Sequence, residues 1–387
     1  MRVCLAATTF PRWAGDGQGA FVWGLAQALA HAGVTVKVVA LHTPGAAVHE
    51  TIDGIEVHRP RYWWREEGEL LRKEGGGLPV TLRRYPLARL QLFPFLAVFA
   101  QAIARAAQQS DLVHAHWTLS AGAAILSRPL HRRPVLATVQ GSDVFQVPQL
   151  PLGARFTRGV LNRCAIVTTL TEALRRAALA TGVEEARIRV IANGVNVAEF
   201  TPAPEHERTK TILFVGFLIK RKGVDFLLDA LPAVLAHLPD YRLVLVGEGP
   251  EEETLRRQAE QLGIAHAVEF TGFLPQAEVR RWMRTAQVLV LPSREEGQGV
   301  VLLEALASGT PVIGSDVDGI AEVIDERVGA LTPAGASAHL AAAITALLAD
   351  RATWRAKSEA ARQRALARYD WRNLAADYLA LYETLNR

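Results

Sequence analysis

The stretch Val288–Ile313, VLVLPSREEGQGVVLLEALASGTPVI, contains one complete structural unit of the chain. Four apolar residues at its start are typical of a buried strand, and a turn with two glycines follows them. A helix is predicted to begin near Val300 and to end at Gly309, before a second apolar strand at Val312. Strand, helix and strand in this order indicate two parallel strands joined by a crossover helix.

The same alternation runs through the 387 residues in two series. The first series predicts strands at Arg2–Ala6, Thr35–Ala40, Leu112–Ala115, Val135–Thr138, Ile166–Thr169 and Arg189–Ile191. The second predicts strands at Thr211–Val215, Arg242–Val246, Val268–Phe270, Val288–Leu291 and Val312–Ile313. Near-continuous apolar strands that alternate with helices are covered on both faces. The sequence therefore predicts an α/β fold with two Rossmann-like, doubly wound parallel-sheet domains that face a central cleft.

Composition and charge narrow the class of protein. Half of the residues are apolar and 21% are charged, as in ordinary globular proteins. The opening MRVCLAATTF lacks a long apolar core for a signal peptide, and the apolar run Leu92–Ala100 is too short to span a bilayer. Cys4 and Cys164 have no metal-ligand spacing and indicate buried thiols in a reducing compartment. We expect a cytoplasmic protein.

The charge is distributed unevenly along the chain. Residues 1–195 hold 22 Lys and Arg against 13 Asp and Glu, whereas the remainder holds 21 against 26. A basic half suggests an anionic partner such as a membrane, a phosphate or a nucleic acid. A chance imbalance of solvated charge explains the same numbers.

Two carboxylates flank the glycine turn of the first quoted stretch. Glu296 lies on its loop side, and Glu304 lies one turn into the predicted helix. The free N–H groups at a helix start favour an anion such as a diphosphate, and carboxylates accept hydrogen bonds from sugar hydroxyls. The alternative is a solvated loop glutamate and a glutamate on the helix surface.

Two further strand-to-helix turns suit phosphate groups. FVGFLIKRKGVD at Phe214–Asp225 places Lys220, Arg221 and Lys222 just after a predicted strand. GDGQGAFVWGLAQAL at Gly15–Leu29 is rich in glycine but does not match the dinucleotide fingerprint. The turn with the three basic residues is equally explained as a solvated loop.

In the first series, DLVHAHW and TVQGSDVF place polar residues at or beyond strand ends, where ligands of such sheets collect. These residues are His114, His116, Gln140 and Asp143. Two histidines two residues apart make a poor metal site, and we expect them to form hydrogen bonds or to pack.

Together these motifs resemble the retaining glycosyltransferases of family 4, which have the GT-B fold. The resemblance covers nearly the whole chain. It rests on the glycine loop, VHAHW, QGSDVF, NGVNVAEFTP, FVGFLIKRKG, LVGEGPEEETL, FTGFLP, EALASGTPVI and VDGIAEVI. It implies an N-terminal acceptor domain of residues 1–195 plus 370–387, with the closing helix packed on it. It implies a C-terminal nucleotide-sugar donor domain of residues 196–369.

The resemblance also implies site residues. Glu296 would contact the hydroxyls of the donor sugar, Glu304 the ribose, and Lys222 the diphosphate, while Phe273 and Leu274 would line the base. The implied donor site comprises Gly17, Gly216, Lys220, Arg221, Lys222, Gly247, Phe273, Leu274, Glu296, Gly297, Gln298, Gly299, Val300, Val301 and Glu304. The candidate catalytic residues are Glu296, Lys222, Gln140 and Asp143.

Three positions depart from the family pattern. Phe217 stands where the family usually has arginine, a charge that Lys220 or Arg221 replaces in our interpretation. Gln140 stands where many members have histidine, and it forms hydrogen bonds but serves as neither acid nor base. Gln298 stands where an aromatic residue is usual.

The mechanism implied is front-face attack with retention, in which the leaving phosphate accepts the proton of the acceptor. The sequence marks no clear carboxylate nucleophile, although Asp143 is a candidate. We identify no metal-binding motif in the sequence, so we expect a metal-independent enzyme without a cofactor. The nucleotide of the donor, UDP, GDP or ADP, stays open.

The acceptor side is sought in Arg59–Arg89, where eight basic residues mix with aromatic ones. This mixture suits an anionic membrane surface or a lipid-linked acceptor, so peripheral contact with the inner membrane face through residues 59–95 is expected. An ordinary surface excursion is the alternative, and no stacking platform indicates nucleic acid. The candidate acceptor-binding residues are His116, Trp117, Trp63 and Arg83.

The leading prediction is a transferase of polysaccharide or lipid-linked sugar biosynthesis. A nucleotide-sugar epimerase on the same fold would convert donor without acceptor. A non-catalytic bilobal sugar-binding protein would need export, and the sequence opens without a signal peptide.

Overall fold

The computed structural model describes residues 1–13, 15–71, 81, 82 and 85–386. The chain forms two compact units. The N-terminal unit contains Met1–Asn193 and Trp371–Arg387, and the C-terminal unit contains Gly194–Asp370.

The sheet of the N-terminal unit is parallel except at one edge. Its described strands are β1 Arg2–Ala7, β2 Thr35–Ala40, β3 His49–Ile52, β4 Ile55–His58, β5 Leu112–His116, β6 Val135–Val139, β7 Ile166–Thr169 and β8 Ile188–Val190. They lie in the order β3-β4-β2-β1-β5-β6-β7-β8, and only β3 runs antiparallel to its neighbour β4.

The sheet of the C-terminal unit is parallel throughout. Its described strands are β9 Thr211–Val215, β10 Arg242–Val246, β11 Val268–Gly272, β12 Val288–Leu291, β13 Val312–Ser315 and β14 Gly329–Thr332. Their order is β11-β10-β9-β12-β13-β14. The predicted fold class of two doubly wound parallel sheets is thus confirmed.

Helices connect these strands and cover the sheets. The α-helices are α1 Ala20–His31, α2 Leu92–Gln108, α3 Thr118–His131, α4 Ser142–Phe145, α5 Gly153–Leu161, α6 Glu172–Ala180, α7 Val224–His237, α8 Glu252–Gln261, α9 Gln276–Thr285, α10 Val300–Ala307, α11 Ile320–Val323, α12 Ser337–Ala349, α13 Arg351–Arg364 and α14 Trp371–Leu385. Short 3-10 turns include Pro86–Gln91, which leads into α2, and Lys220–Lys222.

Three strands were not predicted from the sequence. β3 and β4 are four-residue strands at a sheet edge with half-exposed faces, and β14 begins at a glycine. Such short segments lack the continuous apolar run by which the other strands were found.

The closing helix α14 belongs to the core of the N-terminal unit. Trp371 packs on α1 at Gly24, where a Cβ atom would lie 2.3 Å from the indole nitrogen. The buried Tyr382 hydroxyl is 2.7 Å from His114 Nδ1, and His114 Nε2 is 2.6 Å from the Thr138 hydroxyl. His114 is therefore a structural residue of the core, with both ring nitrogens hydrogen-bonded.

The helical segment Pro86–Gln108 is longer than the apolar run Leu92–Ala100 on which the sequence prediction rested. The 3-10 turn continues into α2, so the segment has 23 residues, and an 18-residue window within it has a mean hydropathy of 1.6, enough by length and composition to cross a membrane. In the fold, however, 44% of that window is buried, and Phe95, Phe99 and Ile103 belong to the hydrophobic core. A core helix passes the same test of length and composition.

Candidate functional site

The carboxyl edge of the C-terminal sheet is where the strand order reverses. β10 and β11 extend the sheet on one side of β9, while β12, β13 and β14 extend it on the other. The loops after β9 and β12 therefore leave the sheet as neighbours, at the position where open α/β sheets bind ligands. Most of the predicted donor residues lie on these two loops.

Arg294 holds the two loops together, a role that the sequence did not reveal. Its guanidinium donates to both carboxylate oxygens of Asp225, at 2.9 and 2.6 Å, and to the carbonyl of Lys220 at 2.6 Å. Gly223 has φ +67°, and a Cβ atom there would lie 2.0 Å from the carbonyl oxygen of Pro292. A glycine is therefore required where the loops meet.

An ion pair between Lys222 and Glu296 spans the same loops. Their side chains are only 15% and 12% exposed. Burial alone would raise the pKa of Glu296, but the charges of Lys222 and Arg221 and the hydrogen bonds to Glu296 hold that pKa below its ordinary value. Glu296 is therefore ionised at neutral pH and oriented by a cation.

Helix α10 begins directly after this turn. Gly299 precedes it with φ +78° and offers no side-chain acceptor to the first N–H groups of the helix. Gly297 and Gln298 are buried, and Gly319 packs so closely on Gly297 that a Cβ atom would lie 1.9 Å from the Gly297 carbonyl oxygen. The turn thus presents backbone N–H groups and the positive end of a helix dipole, which suit an anion.

Glu304 lies within α10 and is 8% exposed. Gln276 donates to its Oε1 at 3.4 Å, a contact that the sequence did not reveal. Burial raises the pKa of Glu304 to about 7, against the effect of Gln276 and of the Arg280 charge. This carboxyl group therefore titrates near neutral pH.

Three glycines lie side by side at the ends of neighbouring strands. Gly216 N donates to the Val246 carbonyl, and Gly247 N donates to the Gly272 carbonyl, both at 2.9 Å. A Cβ atom on Gly247 would lie 2.0 Å from the Gly216 carbonyl oxygen, at a φ of +137°. The following Phe273 is 43% exposed, so an aromatic ring lies open to ligand beside the glycines.

The remaining predicted donor residues differ in position. Arg221 lies near the ion pair, with Nη1 3.8 Å from Glu295 Oε1, whereas Lys220 is exposed. Leu274 and Phe217 are half-buried. Lys220 and Arg221 are the two candidates to replace the arginine that the family usually has at the position of Phe217. Of these two, Arg221 lowers the pKa of Glu296.

In the N-terminal unit the strand order reverses between β1 and β5. Gly17 lies in the loop after β1, and Gly19 precedes α1 with φ +70°. A Cβ atom on Gly19 would lie 2.8 Å from the Thr9 carbonyl oxygen. Arg12 donates to buried Asp16 through its backbone N at 3.0 Å and its Nε at 2.7 Å, so the glycine loop is internally braced.

His116 ends β5 and is connected to Gln140 beyond β6. Gln140 Nε2 donates to His116 Nδ1 at 3.1 Å, and Asn193 Nδ2 donates to Gln140 Oε1 at 3.4 Å. Burial lowers the pKa of His116 to about 3, so the ring is neutral. Since Nδ1 accepts, the network assigns the proton to Nε2, which is buried without a partner among the described residues.

Asp143 joins the loops after β5 and β6. Its Oδ1 accepts from Thr118 N at 2.6 Å, and its Oδ2 accepts from Gln140 N at 2.8 Å. The residue is 2% exposed, and burial raises the pKa of its carboxyl group despite these bonds. Both oxygens serve the backbone in this structure.

Trp117 has an unusual backbone. Its φ is +67°, a region that tryptophan rarely adopts, and its N donates to the Thr138 carbonyl at 3.0 Å. The ring meets Phe21 edge-on, with centroids 5.7 Å apart. Such strain often accompanies functional positions.

The other acceptor candidates are separate from this group. Trp63 stacks on exposed Trp64 with centroids 4.2 Å apart and is partly buried against the core. Arg83 lies outside the described residues. Arg59 does not belong to a basic surface, because it is 1% exposed and donates to the Pro11 carbonyl at 2.6 Å.

The described residues contain no group of three or more His, Cys, Asp or Glu side chains arranged to hold a metal ion. Lys222 and Arg221 are the cations that act on Glu296, and the start of α10 adds the positive end of a helix dipole.

Comparison with known proteins identifies the family. Residues 198–364 match the family model described as Glycosyl transferases group 1, and residues 15–199 match that described as Glycosyltransferase Family 4. A phosphatidyl-myo-inositol mannosyltransferase of Mycolicibacterium smegmatis is 33% identical over 290 residues, covering 71% of this chain and 72% of that protein. The chain belongs to the family 4, group 1 glycosyltransferases.

A second relative matches a shorter part of this glycosyltransferase. The phosphatidyl-myo-inositol mannosyltransferase of Mycobacterium leprae is 43% identical over 202 residues, which are 50% of this chain and 53% of that protein. This alignment spans about half of that relative's length.

Solved structures support the fold. A sucrose-phosphate synthase from Thermosynechococcus elongatus matches with a TM-score of 0.78 at 25% identity, covering 100% of this chain and 99% of that chain. HepE of Anabaena, solved in complex with UDP, matches with a TM-score of 0.74 at 19% identity, covering 99% and 100%. The predicted GT-B fold of this glycosyltransferase is confirmed.

Proposed function

We propose that this glycosyltransferase moves a sugar from a nucleoside diphosphate sugar to a hydroxyl group, with retention of the anomeric configuration. The C-terminal unit binds the donor in this proposal. The observation that carries it is the Lys222–Glu296 ion pair beside the uncapped start of α10. The pairing places a cation and the N–H groups of a helix start, which bind phosphate, beside an ionised carboxylate, which accepts bonds from hydroxyls.

The donor is assigned to the site by its parts. The diphosphate is held by Lys222 and the N–H groups from Gln298 to Val301, the sugar hydroxyls by Glu296, and the ribose by Glu304. The closely packed Gly216 and Gly247 allow the nucleotide to approach the backbone. A nucleotide donor agrees with HepE, which was solved with UDP, although the base stays open here.

The chemistry proposed is front-face attack without a metal ion. The acceptor oxygen bonds to the anomeric carbon as the bond to the diphosphate breaks, and the leaving phosphate oxygen takes the acceptor proton. Asp143 acts as a positioning residue, because both of its oxygens already accept backbone N–H groups. Its task is to fix Gln140 and through it His116, whose unpaired Nε2–H is a donor for a sugar hydroxyl.

The acceptor proposed is a lipid-linked or surface-polysaccharide precursor at the inner face of the membrane. The relatives' names include phosphatidyl-myo-inositol mannosyltransferases, whose acceptor is a lipid by name. Large apolar side chains at Trp64 and near the start of α2 are exposed, which suits contact with a membrane surface. They are Trp64, Leu87, Leu90 and Phe93, at 79%, 68%, 65% and 78% exposure.

The proposal is tested first by the donor. Thermal shift with UDP-, GDP- and ADP-sugars should raise the unfolding temperature for one nucleotide class, because binding stabilises the folded state. The selected donor is then incubated with and without acceptor. Transfer with a retained anomeric configuration by NMR, undiminished by EDTA, supports the proposal, whereas isomerised donor without acceptor shows an epimerase.

The site assignment is tested with Glu296→Gln. Loss of the carboxylate removes a charged hydrogen-bond acceptor, so kcat/KM should fall by about 100-fold or more while the fold persists. Glu253→Gln, a change at an exposed glutamate of α8, is the matched control and should keep full activity. Full activity in Glu296→Gln would contradict the assignment of Glu296 to the donor sugar.

A further inference from the structure

A shallow surface cavity of about 800 Å³, wide open to solvent, lies at the amino ends of the strands of the N-terminal sheet, away from the residues above. Four arginines line it: Arg128, Arg132, Arg163 and Arg187. The arginines lie just before three neighbouring strands. Arg132 precedes β6, Arg163 precedes β7 and Arg187 precedes β8. The four-to-five-residue strands separate this edge from Gln140 by roughly 15 Å. The cavity is therefore not part of the proposed transfer site.

The charge of this arginine cavity is largely uncompensated. Arg187 donates to Glu184 Oε2 at 2.6 Å and to the Cys164 carbonyl at 2.9 Å. Within the described part of the chain, no carboxylate pairs with Arg128, Arg132 or Arg163. From Thr118 to Arg163 the chain carries six arginines and a single acidic residue, the buried Asp143.

The cavity wall is built by specific contacts. Asn162 Nδ2 donates to the Gly182 carbonyl at 3.0 Å, and Asn162 Oδ1 accepts from Glu184 N at 2.9 Å. This amide ties the end of α5 to the segment before β8 and so holds Arg163 beside Arg187. Burial raises the pKa of Cys164 to about 12, while the charges of Arg187 and Arg128 oppose the rise, so both guanidinium groups act on one thiol.

Arginines that converge on one cavity match the chemistry of phosphate. The planar guanidinium forms bidentate hydrogen bonds with phosphate oxygens, and each offers five N–H donors, of which Arg187 uses two here. All four arginines lie at or just after the C-terminal ends of helical segments, where cations are favourable. What a helix end alone does not explain is that three such ends, of α3, α5 and the 3-10 turn Glu185–Arg187, converge on one cavity.

We propose that the arginine cavity binds a phosphate-bearing anion at a site separate from the donor site. The phosphate comes either from a soluble polyphosphate or from a phospholipid head group. The surface of α3 beside the cavity exposes Leu126 and Leu130, at 68% and 64%, which would contact lipid chains but not a soluble ion.

Calorimetric titration with pyrophosphate tests the site directly. The unchanged protein should show two sites, of which Lys222→Met removes the one in the C-terminal unit. The double variant Arg128→Gln and Arg132→Gln should remove the other, weakening it about tenfold or more. Both side chains are exposed, and glutamine at Arg132 keeps the strain of its φ of +57° unchanged, so the fold should persist.

The control is a double variant of equal charge, Arg257→Gln and Arg281→Gln, in the C-terminal unit. It should retain both pyrophosphate sites. Identical binding in the Arg128/Arg132 variant and in the unchanged protein overturns the proposal and leaves those arginines as helix-end charges. If the unchanged protein shows the arginine-dependent site but no site that Lys222→Met removes, the result contradicts the donor site and not the arginine cavity.

Vesicles of phosphatidylglycerol and phosphatidylcholine identify the source of the phosphate. If the phosphate belongs to a lipid head group, the double variant Leu126→Ser and Leu130→Ser should weaken flotation with vesicles about as much as the arginine variant does. The pyrophosphate binding of this leucine variant should stay unchanged. For a soluble ion, only the arginine variant changes pyrophosphate binding, and flotation equals that of the charge-matched control. Absence of both effects refutes the site.

Discussion

The carboxyl edges of the two sheets share a reversal of strand order but differ in electrostatic character. In the C-terminal unit, Lys222, Arg221 and ionised Glu296 gather beside a helix start. In the N-terminal unit, the corresponding edge presents a neutral His116 and Gln140. Two copies of one architecture thus offer a charged site and a neutral polar site.

The difference follows from what each edge has to hold in the proposed reaction. A diphosphate carries charge that must be matched by cations and N–H groups. Sugar hydroxyls are neutral, and a histidine whose buried Nε2–H lacks a partner is suited to them. Burial lowers the pKa of His116 and so keeps its ring neutral. At Glu296 burial alone would raise the pKa, but the Lys222 charge helps to hold the pKa below its ordinary value and the carboxylate stays ionised.

The largest expected effect is on the charged edge. Lys222→Met removes the cation and leaves the nearly buried Glu296 without its partner, so kcat/KM for the donor should fall by about 100- to 1000-fold. Lys220→Met, at an exposed neighbour, should lower it far less. Steady-state kinetics with varied donor measure both, and a larger loss at Lys220 would show that the wrong lysine has been assigned to the diphosphate.

A smaller effect is expected on the neutral edge from Asp143→Asn. Asparagine keeps one oxygen but turns an NH₂ group toward a backbone N–H, so one of the two bonds is lost. We expect a loss of about 1–3 kcal/mol in the free energy of unfolding and a roughly tenfold fall in kcat. Urea unfolding and kinetics are measured together.

The control for this variant is Asp240→Asn, at an exposed ion pair with Lys210, which should leave stability and activity unchanged. The two readouts decide the role of Asp143. Unchanged stability with transfer abolished entirely would indicate a nucleophile and contradict the positioning role.

The sequence predicted most strands of the sheets because those strands are continuous apolar runs, and the family resemblance implied that Glu296 and Lys222 both serve the donor. It did not predict Arg294, since its partner Asp225 lies 69 residues away and nothing local marks the pair. The polar contact of Gln276 with Glu304 was missed for the same reason.

Surface character was harder to predict than topology. Arg59 contributes to a basic pattern in the sequence, yet in the fold it is buried and bound to backbone carbonyls. The arginine cavity shows the converse, because Arg128, Arg163 and Arg187 are scattered along the chain and are brought together only by the parallel order of β6, β7 and β8. A charge pattern in sequence does not tell which charges meet.

The smallest expected effect is a pH dependence of stability that Glu304 causes in the C-terminal unit. The pKa of Glu304 rises from an ordinary 4.5 to about 7 in the folded, ligand-free protein. Folded protein then binds more protons than unfolded protein between these values, so stability should decline as pH rises from 4.5 through 7. Glu304→Gln should remove this decline, and urea unfolding at several pH values would detect it.

Donor affinity should show the opposite trend. An ionised carboxylate accepts ribose hydroxyls more strongly than a protonated one, so binding should strengthen between pH 6 and 8 by up to about tenfold. His116 should contribute nothing in this range, because its pKa of about 3 keeps the ring uncharged. Titration calorimetry of the donor with Glu304→Gln should give a weaker but pH-independent affinity. A slope that persists in this variant would assign the titration to another group and remove Glu304 from the ribose contact.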